Sequence, residues 1–228
     1  MGKFELHVHT RECDLYAVSH AADIVKLYHD AGYEGLVITD HYFEFFSDWF
    51  ADELVGLSAR DIAKRRLKGY YEAKNEGEKL GFTVLPGAEV RFDGTINDYL
   101  VYGADEEFFL SCPVLNELKN PEELKSVLPS DALIVQAHPF RNKMTVCDPT
   151  PLFGIEVYNG GTEPFRNEMA EIFASHYEKA MTSGSDFHSP AALGRGGIFC
   201  EKKIKTPKDL VKVLKSGDYR LVKGGKVT

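Results

Sequence analysis

The chain has 228 residues, 43% of them hydrophobic, and a formal net charge of -8. This length and composition suit one large domain with a substantial core, so residues 1–228 are expected to form a single domain. No apolar stretch approaches the ~20 residues that span a bilayer, and the acidic balance disfavours a long nucleic acid as a partner.

The four cysteines are scattered along the chain without a C-x-x-C pair: Cys13, Cys112, Cys147 and Cys200. This spacing argues against a disulfide framework and against a zinc ribbon. The first apolar run begins at about residue 3, which leaves no room for a signal peptide. We therefore expect a protein of the reducing cytoplasm.

Short apolar runs alternate with helical patterns along the whole chain. Seven runs predict β-strands: residues 4–8, 35–39, 82–85, 99–103, 132–136, 154–157 and 180–183. Ser19 is expected to cap the first helix, Ser58 a long helix that ends at Gly81, and Pro207 to begin the last helix. The basic segment 64–66 is expected to be a solvated helix face. Seven strands alternating with helices indicate an irregular or smaller relative of the eight-stranded β/α barrel.

Polar fragments follow five of these strands: His7-Val8-His9, Thr39-Asp40-His41, Glu89, His138-Pro139 and Asp186-Phe187-His188. Residues two apart in a strand point to the same side, so His7 and His9 can bind one ion together. Asp186 and His188 repeat that spacing. Ligands at the ends of different strands meet only if the strands close on a common axis. The pattern therefore predicts a metallohydrolase on a β/α barrel.

Further residues extend this predicted metal site. Glu89 can bridge two ions ~3.5–4 Å apart, and His138 adds one more nitrogen ligand. Asp14 is either an extra oxygen ligand or a solvated loop carboxylate. Asp40 is expected to orient His41 or a neighbouring ligand.

Two arginines lie just beyond strand ends. Arg141 and Arg195 can bind phosphate oxygens in two-point contacts, or they form surface salt bridges. Glu156 lines the pocket or is a structural carboxylate of the barrel. The aromatic loop from Tyr42 to Trp49 is expected to fill the barrel mouth rather than to hold a substrate.

In order, the motifs H-x-H-T, T-D-H, G-x-E, A-H-P and S-D-x-H resemble those of the polymerase and histidinol phosphatase (PHP) family of metal-dependent phosphoesterases. The resemblance extends from His7 to His188. It implies a single PHP-type metallohydrolase domain, an α/β fold with a distorted seven-stranded (β/α)7 TIM-like barrel. It also implies two or three divalent ions, which can be zinc, manganese or iron.

The resemblance assigns the metal ligands by position. A first ion would be held by His7, His9, Glu89 and Asp186. Glu89 would bridge to a second ion that His138 also binds, and a third would be held by Asp14, His41 and His188. Many family members have another histidine just after the fourth strand, near Gly103 to Asp105, and this chain has none there. The second ion is then weakly held, takes Asp98 or Asp105 instead, or is absent.

The predicted function is hydrolysis of a small-molecule phosphate ester, above all a phosphomonoester, by a metal-bound hydroxide. Asp186, Glu89 and His9 are the predicted catalytic residues, and Arg141 and Arg195 the predicted substrate-binding residues. Two alternatives stay open: a phosphodiesterase or exonuclease that acts on nucleotides or short nucleic-acid ends, and a non-catalytic metal-binding module. Nothing in the sequence selects a particular substrate, metal or oligomeric state.

Overall fold

The computed structural model describes residues 2–112 and 114–228. Within these ranges the strands are β1 (Gly2–Val8), β2 (Tyr33–Ile38), β3 (His41–Tyr42), β4 (Thr83–Pro86), β5 (Ala88–Arg91), β6 (Asp98–Tyr102), β7 (Leu133–Gln136), β8 (Gly154–Asn159), β9 (Ala180–Gly184), β10 (Ile198–Cys200), β11 (Arg220–Lys223) and β12 (Lys226–Val227). All seven predicted strands are present, because each apolar run is long enough to form a buried strand.

Helices lie between most of these strands. They are α1 (Ala21–Asp30), α2 (Phe45–Trp49), α3 (Ala51–Leu54), α4 (Ala59–Arg66), α5 (Lys68–Leu80), α6 (Glu106–Ser111), α7 (Pro121–Val127), α8 (Pro164–His176) and α9 (Pro207–Ser216), with 3-10 turns at Leu115–Glu117 and Pro190–Ala192. None of the helices in the described ranges is long and apolar enough to cross a membrane.

The strands form two six-stranded sheets, in the orders β12-β11-β10-β1-β2-β4 and β3-β5-β6-β7-β8-β9. Strand β6 runs antiparallel to both β5 and β7, whereas a regular β/α barrel is wholly parallel. The physical reason is the connection from β5 to β6, which spans only residues 92–97 and is too short for a helical crossover. Neither sheet closes on itself among the described residues.

Two observations link the sheets. Strands β4 and β5 are separated by Gly87 alone, although one belongs to each sheet. An isolated parallel bridge also joins Val8, at the end of β1, to Phe187, just after β9. The carboxyl ends of β1 and β9 are therefore neighbours, which brings the first and last polar fragments of the sequence together.

Helix boundaries follow the predicted caps in part. The Ser58 hydroxyl accepts a hydrogen bond from the Asp61 amide, and Gly81 ends α5 with a positive φ. The predicted long helix is interrupted at Leu67 and so forms both α4 and α5. The prediction that Ser19 caps α1 is wrong: His20 is the cap residue and makes no side-chain cap bond. The Glu12 carboxylate instead accepts from the Ala21 amide at 3.1 Å.

The prediction of a solvated basic face at residues 64–66 is wrong for two of its members. The Arg65 side chain is 11% exposed, lies 4.1 Å from the Phe50 ring and donates to the exposed Glu53 carboxylate at 2.7 Å. Arg66 is only 6% exposed, because it shares a face of α4 with Ile62 and Ala63, which line a cavity beside it.

The apolar core supports the amino-terminal part of β1. Phe4 and Leu6 pack with Leu210, Val211 and Leu214 of α9 in one buried cluster. A capping box at Thr206 begins this helix, and it turns its apolar face toward the sheet. The core therefore fills the region below the strand ends, where the polar side chains lie.

Candidate metal centre

The structure brings all eight predicted metal ligands together at the ends of the strands. His7 lies on β1, His41 on β3 and Glu89 on β5, while His138 and Asp186 follow β7 and β9. Every one of the eight belongs to at least one group of side chains whose ligand atoms lie within 4.8 Å of one another. The groups are His9, Asp14, His41 and His188; His7, His9 and Glu89; His7, His138 and Asp186; and Glu89, Asp98 and His138.

His9 lies between two of these groups. Its Nε2 is 3.3 Å from Glu89 Oε2 and 3.4 Å from Asp186 Oδ1. Its Nδ1 faces Asp14 Oδ2 at 3.8 Å, and its ring stacks on those of His41 and His188 at centroid distances of 4.2 and 4.3 Å. The structure therefore places His9 with the predicted third-ion ligands as well as with the first-ion ligands.

Several buried polar atoms of this cluster have no hydrogen-bond partner. They are Nε2 of His7, both ring nitrogens of His9, Nδ1 of His138 and Oδ1 of Asp186. Buried polar atoms without partners cost free energy and are uncommon in folded proteins. Imidazole nitrogens and carboxylate oxygens are also the donors that zinc, manganese and iron accept. The donor set and its unpartnered atoms therefore fit divalent cations.

A carboxylate behind the cluster orients one of its histidines: the Glu156 carboxylate lies 2.9 Å from His7 Nδ1. Within the cluster, Asp14 Oδ2 lies 2.9 Å from His41 Nδ1. A proton held on Nδ1 leaves Nε2 free to bind a cation, which is the usual arrangement around metal-binding histidines. Glu156, for which pocket-lining and structural roles were both open, positions His7 from the buried side.

Asp40 has a different partner from the one expected first. Its carboxylate accepts from the Thr10 amide at 2.7 Å and from the Thr10 hydroxyl at 2.8 Å. Thr10 directly follows His9, so Asp40 fixes the backbone beside this ligand rather than the ring of His41. Burial raises the pKa of Asp40 to about 7, against the opposing effect of the Thr10 hydrogen bonds.

The pKa of His9 is shifted in the opposite direction from those of His41 and His188. Burial, together with His41 and His188, lowers the pKa of His9 and favours its neutral ring. Burial also opposes the charge on His41 and His188, but the surrounding carboxylates Glu89, Asp14 and Asp186 raise their pKa values to about 9 and about 10. Cations bind neutral imidazole, so loading this centre would release protons.

Of the two replacements considered for the missing histidine, the structure brings only Asp98 to the cluster. Asp98 is fully buried on β6, and its Oδ2 lies 3.8 Å from His138 Nε2. Its carboxylate also accepts two hydrogen bonds from Arg91, at 2.6 and 2.7 Å. Asp105 instead caps α6 by accepting from the Phe108 amide.

The two predicted substrate-binding arginines lie at different distances from the cluster. Arg141 Nη2 donates to Asp98 Oδ2 at 2.9 Å, and its Nη1 is 3.9 Å from Asp186 Oδ2. Arg195 is exposed and donates to the Gly160 carbonyl at 3.0 Å. Arg141 therefore reaches the cluster directly, whereas Arg195 holds a neighbouring loop.

Two features of the site have no clear signal in the sequence. Glu5 is fully buried and accepts hydrogen bonds from the His7 amide, the Ser185 amide and the Tyr28 hydroxyl. It thereby ties the end of β1 to the segment that carries Asp186. His138 and Asp186 both have positive φ values, 26° and 51°, a backbone conformation that is uncommon for residues other than glycine and is often found at functional sites.

The aromatic loop contributes to packing beside the site. Phe43 stacks on His41 at a centroid distance of 4.7 Å. Phe43, Phe46 and Phe50 form a small buried cluster with Cys13. The loop therefore fills space next to the ligands, and its place at a barrel mouth stays a prediction.

Comparison with protein-family models gives a match to the PHP-associated family (PHP_C) over residues 164–219, a range that includes Asp186 and His188. Comparison with curated proteins gives no significant match.

The fold is similar to that of several solved structures over most of the chain. A two-domain protein from Bacteroides vulgatus, described as containing a predicted PHP-like metal-dependent phosphoesterase, has a TM-score of 0.71 and 17% identity, with 99% of this chain and 66% of that chain covered. This chain thus spans just under two thirds of that protein.

A putative metal-dependent phosphoesterase from Bifidobacterium adolescentis has a TM-score of 0.53 and 15% identity, with coverage of 93% and 95%. An amidohydrolase from Chromobacterium violaceum, solved with bound sulfate and no metal, has a TM-score of 0.58 and 15% identity, with coverage of 83% and 89%. The mixed α/β fold is shared with these proteins, and the resemblance to the PHP family is confirmed.

Proposed function

We propose that this protein is a metal-dependent hydrolase that cleaves phosphate esters of small molecules, with phosphomonoesters as the preferred class. The observation that carries the proposal is that eight buried or partly buried side chains with nitrogen and oxygen donors, several of them without hydrogen-bond partners, form overlapping groups at the strand ends of a PHP-like fold. The neighbours described as phosphoesterases support the reaction class.

We further propose that the strands form one domain with a distorted seven-stranded (β/α)7 barrel. The single-residue break at Gly87 and the Val8–Phe187 bridge support this arrangement, since each links the two sheets. Gly87 joins β4, an edge strand of one sheet, to β5 of the other, and the bridge joins β1 to the segment just after β9, an edge strand. Ligands carried by β1, β3, β5, β7 and β9 would then surround a common axis.

In this proposal the ligand sets combine members of the geometric groups. His7, His9, Glu89 and Asp186 would hold one ion, and Asp14, His41 and His188, with His9 beside them, would hold another. Glu89 and His138 would hold a further ion, with Asp98 as the candidate third ligand. Bound divalent cations supply Lewis acidity and lower the pKa of a coordinated water toward neutrality.

The protein's own side chains would orient the substrate and keep the histidines in the required protonation state. Arg141 lies beside Asp186, where its guanidinium can bind the negatively charged oxygens of a phosphoryl group. Arg195 would act at the rim through the loop that begins at Gly160. The Glu156 carboxylate holds the proton of His7 on Nδ1, so that Nε2 faces the site.

Asp186, Glu89 and His9 are the proposed catalytic residues. The test is hydrolysis of p-nitrophenyl phosphate and bis(p-nitrophenyl) phosphate by chelator-stripped protein, with manganese or zinc restored. Asp186→Asn should remove metal-dependent turnover, and Asp218→Asn, an exposed aspartate paired with Lys202, is the matched control. Faster turnover of the diester would favour a phosphodiesterase.

The amidohydrolase neighbour gives the competing substrate class, so p-nitroacetanilide is included as an amide substrate. Hydrolysis of the amide but of neither phosphate ester would contradict the proposal. Equal turnover by Asp186→Asn and the stripped, reloaded protein would contradict the assignment of the site. Tight metal binding without hydrolysis of any of these compounds would favour the non-catalytic module.

A further inference from the structure

A small cavity lies between helices α4 and α6, on the side of β3 away from the metal ligands. Its volume is about 150 Å³, and its walls are mainly apolar. The lining residues are Tyr42, Ala59, Ile62, Ala63, Arg66, Phe109, Cys112 and Val114. A cavity of this size can take up a molecule as large as benzene.

Among the described residues that line the cavity, Arg66 alone is charged, and it is 6% exposed. Its Nε and Nη1 atoms are buried without a hydrogen-bond partner, and within residues 2–112 and 114–228 no carboxylate oxygen lies within 4.0 Å of its guanidinium nitrogens. The carboxylate of Asp93, which acts on Arg66 from a greater distance, instead accepts from Asn116 at 2.8 Å.

A second unpartnered donor lies beside this arginine. The Tyr42 side chain is buried, and its hydroxyl has no hydrogen-bond partner. The guanidinium lies 5.1 Å from the Tyr42 ring and 4.0 Å from the Phe46 ring. These aromatic contacts stabilise the cation in part, but they accept none of its directional N–H bonds.

The two donors define the chemistry of an occupant. A buried cation without an anionic partner is strongly unfavourable, and a carboxylate that accepts from both donors would offset this cost. One guanidinium balances one negative charge, so a monoanion fits better than a phosphate dianion. The apolar walls formed by Ile62, Phe109 and Val114 suit a short hydrocarbon chain.

We propose that this cavity binds a small monocarboxylate, with its carboxylate on Arg66 and Tyr42 and a short apolar chain against α4 and α6. Tyr42 directly follows His41 on β3, and adjacent strand residues point to opposite faces. The cavity is thus separate from the metal centre but shares a strand with it. This inference does not depend on the proposed hydrolase activity.

The test is isothermal titration calorimetry of the intact protein with sodium pentanoate, together with 1-pentanol and sodium decanoate. Pentanoate should bind with one-to-one stoichiometry, and the neutral alcohol should bind roughly tenfold more weakly or worse, because it lacks the charge that Arg66 requires. Decanoate, too long for the cavity, should bind more weakly than pentanoate.

Two variants assign the binding to the cavity. Arg66→Met should weaken pentanoate binding by roughly tenfold or more, whereas Arg60→Met, an exposed arginine on the same helix that pairs with Glu107, should not change it. Ala63→Leu fills the cavity and keeps the arginine, and it should also abolish binding, which decides the question if Arg66→Met does not fold.

The proposal is overturned if the unmodified protein does not bind pentanoate, or if Ala63→Leu binds it as the unmodified protein does. Equal binding of 1-pentanol would contradict the role of the charge. Tighter binding of decanoate would contradict the size argument. If the proposal is overturned, the role of Arg66 is to stack on the Phe46 ring.

Discussion

Glu156→Gln tests whether the buried carboxylate behind His7 controls metal binding. Glu156 Oε1 lies 2.9 Å from His7 Nδ1, while Oε2 accepts from the His138 amide at 3.0 Å and from Asn159 Nδ2 at 2.9 Å. The carboxylate thus serves three donors, whereas an amide has one accepting oxygen. The glutamine nitrogen must therefore face either His7 or the other two donors.

The less costly arrangement places the amide nitrogen toward His7. That ring must then accept on Nδ1 and carry its proton on Nε2, which removes the lone pair that faces the site. Loss of such a supporting interaction lowers metal affinity by about 10–100-fold. One charge-assisted hydrogen bond is also lost, so the free energy of unfolding of the metal-free protein should fall by about 1.5–3 kcal/mol.

Both effects can be measured on the same preparation. Competition with a chromophoric chelator gives the zinc affinity, and urea unfolding of the stripped protein gives the free energy of unfolding. Glu107→Gln is the matched control, because this exposed glutamate pairs with Arg60 at the surface. A folded Glu156→Gln variant with zinc affinity within twofold of the unmodified protein would refute the reasoning.

Two further predictions concern packing and protonation. Gly69→Ala should lower the free energy of unfolding, measured by urea titration, by about 1–3 kcal/mol. The added Cβ would overlap Thr10 Oγ1 and lie 2.6 Å from Asp40 Oδ2. An unchanged free energy of unfolding would contradict this packing argument. In the metal-free protein, protonation of His41 and His188 stabilises the fold, and this stabilisation is fully present below pH 6.5. It is lost as the pH rises through their pKa values of about 9 and about 10. The melting temperature of the stripped protein should therefore fall between pH 7 and pH 10, and it should fall further than that of the zinc-loaded protein. An equal fall in both proteins would refute this prediction.

Local sequence patterns were sufficient for seven of the twelve strands in the described residues. Each of the seven apolar runs forms a strand, because burial of a short hydrophobic segment between polar turns depends on near neighbours. The Ser58 and Gly81 helix signals were equally informative. The α1 start was mispredicted because its cap comes from Glu12, nine residues earlier in the chain.

The candidate site could be predicted because its ligands follow strands in recognisable fragments. The spacing His7-Val8-His9 places two rings on one side of a strand whatever the rest of the chain does. The assignment of the other fragments to the same metal centre depended on their order along the chain, which resembles the order in the PHP family. The order of the motifs could not decide whether Asp98 or Asp105 replaces the missing histidine, since both residues lie close to the fourth predicted strand.

The sequence by itself determined where seven of the strands lie along the chain and which candidate ligands follow strand ends, because these depend on local periodicity and residue chemistry. Only the tertiary structure decided that β6 runs antiparallel, that Asp98 joins the cluster, that Glu156 supports His7 from 149 residues away and that Arg66 is buried. The physical reason is that a buried charge is stabilised by partners distant in sequence, and an isolated carboxylate or guanidinium in a sequence looks the same whether it is solvated or enclosed.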